Sequence, residues 1–234
     1  CYLNDGKGNF TKSADIFPPG LKAGSCIAAT DFDNDGWTDL FIGGKAILGS
    51  YPLCSNSYLL KNVNGKFTDV TEQIAPGLSK TGMVKSALWT DFNNDEQIDL
   101  IVVGEWMPLT FFKNENGKFV NITDKIGFSK TGGWWNSISG GDFDNDGDID
   151  FIAGNVGLNT RFKVSEKEPM CVYMDDFDKN GTVDAVMCNY IKGRNTPVPD
   201  RDILLDQVIS LKKKYINYKD FISKGVTDYF GEEK

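Results

Sequence analysis

D142-F-D-N-D-G-D-I-D150 is one of four near-copies of a nine-residue acidic pattern in this chain of 234 residues. The other copies are D31-F-D-N-D-G-W-T-D39, D91-F-N-N-D-E-Q-I-D99 and D176-F-D-K-N-G-T-V-D184. Each copy carries three to five acidic side chains, and so much like charge in one loop is unfavourable unless a cation neutralises it. Oxygen ligands of this kind are what Ca²⁺ prefers. The pattern therefore predicts metal sites, and its repetition predicts a repeat fold.

Each loop offers five ligands at alternating positions. Side chains at positions one, three and five converge as the loop curls, position seven supplies a backbone carbonyl, and the carboxylate at position nine closes the shell. The predicted ligands are Asp31, Asp33, Asp35, Trp37 and Asp39; Asp91, Asn93, Asp95, Gln97 and Asp99; Asp142, Asp144, Asp146, Asp148 and Asp150; and Asp176, Asp178, Asn180, Thr182 and Asp184. Position six favours glycine because the turn needs a positive φ.

The second loop departs from the pattern. It has Glu96 where the other three have glycine, and a left-handed conformation costs a non-glycine residue about 1 kcal/mol. Asn93 also lowers the ligand charge. We therefore predict three to four bound Ca²⁺ ions, with the site at 91–99 the weakest.

The loops are not EF-hands. An EF-hand places a bidentate glutamate at position twelve and a helix on either side. Position twelve is apolar in all four copies, being Ile42, Val102, Ala153 or Met187, and the flanking runs are rich in strand-forming residues.

A second repeated element predicts β-hairpins between the loops. Y2-L-N-D-G-K-G-N-F10, Y58-L-L-K-N-V-N-G-K-F67 and F111-F-K-N-E-N-G-K-F119 each join two β-prone runs through an Asn/Gly turn. One unit then contains a strand, the acidic loop, a strand, a connector and a hairpin, and it repeats every 50 to 60 residues. Four strands per repeat of this length predict an all-β fold, a β-propeller of four-stranded antiparallel blades with about four blades in this chain.

The unit breaks down towards the C-terminus. Only 34 residues separate Asp142 from Asp176, without an N-G-K-F turn between them, so 155–169 is either a long connection or a degenerate strand pair. Helical spacing of apolar residues follows Asp200 and predicts a helical segment over 200–222. We therefore predict propeller blades over 1–199 and a helical insertion or extension over 200–234.

Composition excludes several function classes. The formal charge of −8 argues against a nucleic-acid partner, and no apolar run is long enough for a membrane helix. The chain has no histidine, so a Ser-His-Asp triad and an H-E-x-x-H metalloprotease are excluded within it. We predict no catalytic residues.

The five cysteines form no C-x-x-C pair, which argues against a zinc site. Small buried hydrophobic side chains are their favoured interpretation. Cys171 and Cys188 flank the fourth acidic loop on strands that we expect to pair, so they are the best candidates for a disulfide.

The loops and their flanks resemble the FG-GAP/VCBS repeats of integrin-α-type β-propellers. Gly104–Pro108, Gly132–Asn136 and Gly154–Asn159 are similar to stretches of bacterial surface proteins in which these repeats often accompany ASPIC/UnbV domains. The resemblance covers roughly residues 1–200. It implies that the ions lie within blades and hold two strands together, and that the complete propeller has about seven blades. This chain then corresponds to part of a longer polypeptide or complex.

Two functions are open at this point. The favoured one is a calcium-stabilised binding or scaffold module of a secreted or outer-membrane surface protein of bacteria, with a protein or glycan ligand. The alternative is a carbohydrate-active protein, either a lectin or a component that processes polysaccharides. Exposed tryptophans stack on sugar rings in such proteins, and the best candidates here are Trp37 and Trp106. Trp89 is assigned to the core, and the adjacent Trp134 and Trp135 are expected to face opposite ways on a strand.

Overall fold

The computed structural model describes residues 1–13, 15–157 and 159–231. Contacts between Cα atoms divide the chain into two compact units. The first unit comprises Cys1–Lys45 and Cys54–Asn155, and the second comprises Ala46–Leu53 and Val156–Lys234. Antiparallel strands dominate the first unit, whereas the second combines strands with short helices.

Strands of the first unit follow the predicted repeat. They are β1 (Tyr2–Asn4), β2 (Phe10–Lys12), β3 (Gly24–Thr30), β4 (Asp39–Gly44), β5 (Tyr58–Val63), β6 (Lys66–Asp69), β7 (Met83–Thr90), β8 (Asp99–Met107), β9 (Thr110–Asn114), β10 (Phe119–Asn121), β11 (Gly133–Gly141) and β12 (Asp150–Asn155). A helical turn, α1 (Thr71–Ile74), follows β6.

These strands pair with their neighbours in sequence. β1 and β2 form a hairpin, and β3 to β6 form a four-stranded antiparallel sheet in chain order. β7 to β10 pair in the same order, and β11 pairs with both β12 and the end of β8. All-antiparallel sheets of this meander type were predicted from the sequence, while the number of blades stays a prediction.

The Asn/Gly turns form the predicted hairpins. Asn64 and Gly65 between β5 and β6 have φ of 53° and 82°, and Asn116 and Gly117 between β9 and β10 have φ of 54° and 81°. Two consecutive positive φ values are required by the type I′ turn, which matches the twist of the strands it joins. The N-G dipeptides therefore fix the register of both hairpins.

Strand β8 lies at the centre of the first unit. Leu100 and Val102 pack into one apolar cluster with Phe41 and Leu59, which belong to the β3–β6 sheet. The alternate residues, Ile101 and Val103, pack into a second cluster with Ile138 of β11. Because side chains alternate along a strand, β8 is buried on both faces and reads as a continuous apolar run.

The second unit has its own sheet and core. Its strands are β13 (Cys171–Asp175), β14 (Asp184–Ile191) and β15 (Arg194–Pro197), and its helices are α2 (Arg201–Gln207), α3 (Tyr218–Ile222) and α4 (Val226–Phe230). A 3₁₀ turn covers Ile209–Lys213. The segment predicted as helical over 200–222 thus contains three short pieces, which bury Leu204, Leu211 and Phe221 in one cluster with Val186. The boundary at 199/200 stays a prediction.

Two further features bear on the sequence predictions. Residues 156–157 and 159–169 contain neither helix nor strand, so this part of the chain is an irregular connection. Among the residues that the structure describes, none of the helices is both long and apolar enough to cross a membrane.

Candidate metal-binding loops

Each acidic loop joins two antiparallel strands at the same place. The aspartate at position nine opens the second strand and lies opposite the last residue of the first. The opposed pairs are Thr30 and Asp39, Thr90 and Asp99, Gly141 and Asp150, and Asp175 and Asp184. The loop therefore lies at the end of a strand pair, where a bound ion would connect the two strands.

The same four hydrogen bonds form inside every loop. In the first loop, Asp31 accepts through both carboxylate oxygens, from the N–H of Asp35 at 3.1 Å and of Gly36 at 2.7 Å. Asp39 accepts from the N–H of Phe32 at 3.2 Å, and Asp35 accepts from the N–H of Trp37 at 2.9 Å. The equivalent bonds of the other three loops measure 2.7–3.4 Å. The sequence pattern thus specifies one loop conformation.

Two left-handed residues shape each loop. Position six has a positive φ in all four, as predicted, including 66° at Glu96. Position four does so too, at Asn34, Asn94, Asn145 and Lys179, with φ between 57° and 62°. Asparagine tolerates this conformation better than most residues, which explains its presence at position four in three copies. This role of position four was not predicted from the sequence.

Carboxylates converge in three of the loops. Asp31, Asp33 and Asp39, then Asp142, Asp144 and Asp146, and finally Asp176, Asp178 and Asp184 each offer oxygens within 4.8 Å of one another. Among the described residues, the second loop does not bring three carboxylates so close. There Asn93 replaces an aspartate and donates its side-chain N–H to Asp99 at 3.2 Å. The relative affinity of the second site stays a prediction.

A buried oxygen in the fourth loop lacks a donor. Oδ1 of Asp178 is shielded from solvent and has no hydrogen-bond partner among the described residues, while Oδ2 accepts from the N–H of Ile209 at 3.3 Å. An unpaired buried carboxylate oxygen is costly. A hard cation held by Asp176, Asp178 and Asp184 removes that cost, so the donor set fits Ca²⁺.

Lysines from the neighbouring strands reach two of the loops. The ammonium of Lys61 on β5 contacts Asp33 and lies 3.1 Å from Asp35. Lys113, at the equivalent place on β9, lies 3.1 Å from Asp95. Each lysine places one positive charge against carboxylates that are predicted to bind a metal, and neutralises part of their charge.

Residues 1–42 and 91–153 match a family model described as the FG-GAP-like repeat. These two segments are similar to FG-GAP-like repeats. The matched segments include the first three acidic loops, and the fourth lies outside them. FG-GAP repeats are found in interaction modules of the β-propeller type, and the antiparallel sheets of this chain are consistent with that fold. A search among curated proteins returned no significant match. An association with ASPIC/UnbV domains stays a prediction.

The aspartates that close the first, second and fourth loops are buried acids. Burial raises the pKa of Asp39 and of Asp99 to about 6, against the opposing effect of hydrogen bonds from backbone N–H groups. Burial raises the pKa of Asp184 as well. The neighbouring carboxylates of each loop add to the increase. All three are almost completely buried, so an ionised closing aspartate is favoured only if a positive charge lies close to it.

The aspartates at position five of the first two loops have lowered pKa values. The N–H of Trp37 and the ammonium of Lys61 hold the pKa of Asp35 below its ordinary value. Lys113 has the same effect on Asp95. In the first two loops, therefore, the surroundings stabilise the anionic form of the aspartate at position five, Asp35 or Asp95. They disfavour the anionic form of the aspartate at position nine, Asp39 or Asp99.

The roles of a lysine and of the asparagine that follows it, on β5 and again on β9, were not predicted from the sequence. Asn62 and Asn114 follow the two lysines, and their backbone N–H groups donate to Oδ1 of Asp39 and of Asp99, both at 2.7 Å. Their side chains donate to the carbonyls of Thr38 and Ile98 at 3.0 and 3.1 Å. The sequence signal that could have revealed them is the Lys-Asn dipeptide, which occupies the equivalent position in both hairpins.

Proposed function

We propose that this chain is a calcium-stabilised binding or scaffold module of the β-propeller type, belonging to a secreted or cell-surface bacterial protein. The observation that carries the proposal is the common conformation of the four loops, which repeats the same four hydrogen bonds and in three of them brings carboxylates close together. Ca²⁺ is held by Asp, Asn and backbone oxygens at positions one, three, five, seven and nine of each loop, the residues predicted above.

The ions act structurally in this proposal. Each loop ends one strand and begins the next, so a cation shared by Asp31 and Asp39 connects β3 to β4. Sites in extracellular modules have dissociation constants of about 10⁻⁴ to 10⁻³ M. At millimolar calcium, such affinity stabilises the folded state by roughly 0.4 to 1.4 kcal/mol per site. Sites of this strength are filled outside cells and empty in cytosol, so the proposal requires an extracellular or surface location.

The binding role rests on the repeats themselves. FG-GAP-like repeats support an interaction module, and the assignment of a protein or glycan as the partner is part of the proposal. Sixteen of the 33 acidic side chains lie in the four loops, and four Ca²⁺ ions would offset the formal charge of −8. The loaded module is then nearly neutral, so we propose that its partner is held by neutral rather than ionic contacts.

A second candidate, a glycan-binding role, is favoured by one aromatic pair. Trp106 is an extra residue on β8 opposite Gly133 and Trp134, and its φ is 59°. A tryptophan in this conformation is strained, and strain of this kind is concentrated at functional sites. The rings of Trp106 and Trp134 lie 5.5 Å apart, whereas Trp135 faces the core and donates to the carbonyl of Thr131 at 3.0 Å.

Thermal unfolding of the whole chain tests the main proposal. We expect millimolar calcium to raise the melting temperature by several degrees over chelated protein, and magnesium to raise it less. Asp144→Asn, which removes a proposed ligand, should reduce the calcium effect. Asp148→Asn is the matched control, because it removes the same charge from the same loop while that residue offers only its carbonyl. Equal melting temperatures with calcium and with chelator would contradict the proposal.

A glycan array tests the second candidate. Binding that is lost in both Trp106→Phe and Trp134→Phe, and retained in the core variant Trp135→Phe, would support a lectin. Absence of binding by the calcium-loaded protein to plant, bacterial and host glycans would contradict it.

A further inference from the structure

Cys171 and Cys188 lie directly opposite each other in the second unit. They are register partners on the antiparallel strands β13 and β14. Opposed residues of antiparallel strands have Cα atoms about 4.5 to 5.5 Å apart, and disulfides span Cα distances of roughly 4.4 to 6.8 Å. The backbone therefore already holds the two residues at a separation that a disulfide accepts.

The two side chains also meet. The Cys188 thiol donates to the carbonyl of Val186 at 3.4 Å, and its interaction with the facing Cys171 together with burial raises the pKa of Cys188. Cys188 is fully buried, whereas Cys171 is partly exposed and accepts a hydrogen bond from the side chain of Asn195 at 3.3 Å. Cys171 is thus the more exposed of the two, and Cys188 faces it across the strand pair.

The pair encloses the fourth acidic loop. β13 runs from Cys171 to Asp175 and β14 starts at Asp184, so the loop 176–184 is the connection between the two cysteine-bearing strands. A covalent bond here restricts the chain on both sides of the carboxylate cluster formed by Asp176, Asp178 and Asp184. Closing a loop in this way limits the unfolded state more than the folded state.

We propose that Cys171 and Cys188 form a disulfide that ties β13 to β14 and fixes the ends of the fourth loop. A low-molecular-weight disulfide such as oxidised glutathione is the oxidant. The Cys171 thiolate attacks one of its sulfurs and releases a glutathione thiolate, which leaves a mixed disulfide. Deprotonated Cys188 then attacks the Cys171 sulfur and releases the second glutathione thiolate. Two protons leave the protein, the cysteine pair is oxidised, and the glutathione disulfide is reduced to two thiols.

The second step is the slow one. Attack requires the thiolate of Cys188. This residue is fully buried, and burial raises the pKa of its thiol, so the thiolate is scarce. We therefore expect the mixed disulfide on Cys171 to accumulate before the intrachain bond forms. A rise in pH should accelerate closure.

The test is a thiol count on the complete chain after equilibration in a buffer of oxidised and reduced glutathione. The protein is denatured, alkylated and weighed, and its peptides are mapped without reduction. The chain has five cysteines, and we expect one linked peptide pair containing Cys171 and Cys188, with Cys1, Cys26 and Cys54 outside any link within the chain. Five alkylated cysteines, or a link from Cys171 to any other cysteine, would overturn the proposal.

A second measurement uses the wild-type protein alone. The oxidised form, freed of calcium, should melt at a higher temperature than the reduced form, and Cys171→Ser should show no such difference between the two buffers. Equal melting temperatures of the oxidised and reduced wild-type protein would contradict a stabilising disulfide between β13 and β14.

The effect on calcium rests on the proposed function. Oxidation should tighten the fourth site, so that titration of the oxidised protein shows one class of site with at least twofold higher affinity. The disulfide and the calcium site are tested separately. A linked cysteine pair in a protein that binds no calcium overturns the calcium proposal and leaves the disulfide proposal intact. Calcium binding by a protein with five free thiols overturns the disulfide proposal and leaves the calcium proposal intact.

Discussion

The backbone N–H of Asn62 donates to Oδ1 of Asp39 at 2.7 Å, and so connects the third strand of one sheet to the acidic loop between the first two. The second oxygen of Asp39 accepts from the N–H of Phe32. One buried carboxylate therefore holds a loop, its following strand and the next strand of the sheet together. The same arrangement recurs at Asn114 and Asp99.

Replacing this carboxylate should destabilise the protein even without metal. Asp39→Ala leaves the N–H groups of Asn62 and Phe32 without their acceptor in a buried place, and an unsatisfied buried group costs about 1 to 3 kcal/mol. We expect a loss of about 2 to 4 kcal/mol, measured by urea unfolding of calcium-free protein.

Asp33→Ala is the control for that variant. Asp33 pairs with Lys61 in a partly exposed position, and such ion pairs contribute about 0 to 1 kcal/mol. A loss equal to that of Asp39→Ala would show that the closing position has no special role.

The lysines should compete with calcium. Lys61→Met removes a positive charge that contacts Asp33 and lies 3.1 Å from Asp35. An exposed charge pair of this type is worth about 0.2 to 1 kcal/mol, so we expect calcium affinity at the first loop to rise roughly two- to fivefold. Intrinsic fluorescence reports the titration, because Trp37 belongs to this loop. Lys66→Met on β6 controls for net charge, and weaker calcium binding by Lys61→Met would make the lysine a supporting residue instead.

The pH dependence of stability should reverse with calcium. Burial raises the pKa of Asp39 and Asp99 to about 6 in the folded, metal-free protein, above the unfolded value of about 3.9. Between these values the folded state binds more protons, so their contribution to the free energy of unfolding falls as pH rises from about 4 to 6. Bound calcium requires the ionised form, so its stabilising effect should instead grow as pH rises through about 6.

The difference between wild type and Asp39→Asn isolates this titration. Melting temperatures of both proteins across that pH range, with and without calcium, provide the measurement. A calcium effect that is as large at pH 4 as at pH 7 would contradict the assignment of Asp39 as a ligand.

Glycine should improve the second loop. Glu96 has a φ of 66°, and a left-handed residue with a side chain costs about 1 kcal/mol. Glu96→Gly should therefore raise the free energy of unfolding by about that amount. Gly147→Ala in the third loop is the reverse substitution. Gly147 has a φ of 98°, and an added Cβ meets no atom within 4 Å. We therefore expect this variant to lower the free energy of unfolding by about 1 kcal/mol through backbone strain alone. Unchanged urea midpoints in both variants would contradict the strain argument.

Local patterns in the sequence predicted much of the molecule. The acidic loops, their flanking strands and the two N-G hairpins depend on residues close in sequence, and their conformations follow from φ preferences and alternation. The reach of Lys61 to Asp33 spans 28 residues, and depends on how β5 pairs with β4. The strained bulge at Trp106 likewise depends on the register between β8 and β11. Such long-range registers are not encoded in any short motif.

The number of calcium ions bound per chain tests the metal assignment most directly. Native mass spectrometry of the whole chain, titrated with calcium and with magnesium as control, counts the ions, and Asp31→Asn, Asp142→Asn and Asp176→Asn assign them to loops. Three to four Ca²⁺ ions are expected, with one lost in each variant. A chain that binds no calcium at millimolar concentration, while remaining folded, would contradict the assignment.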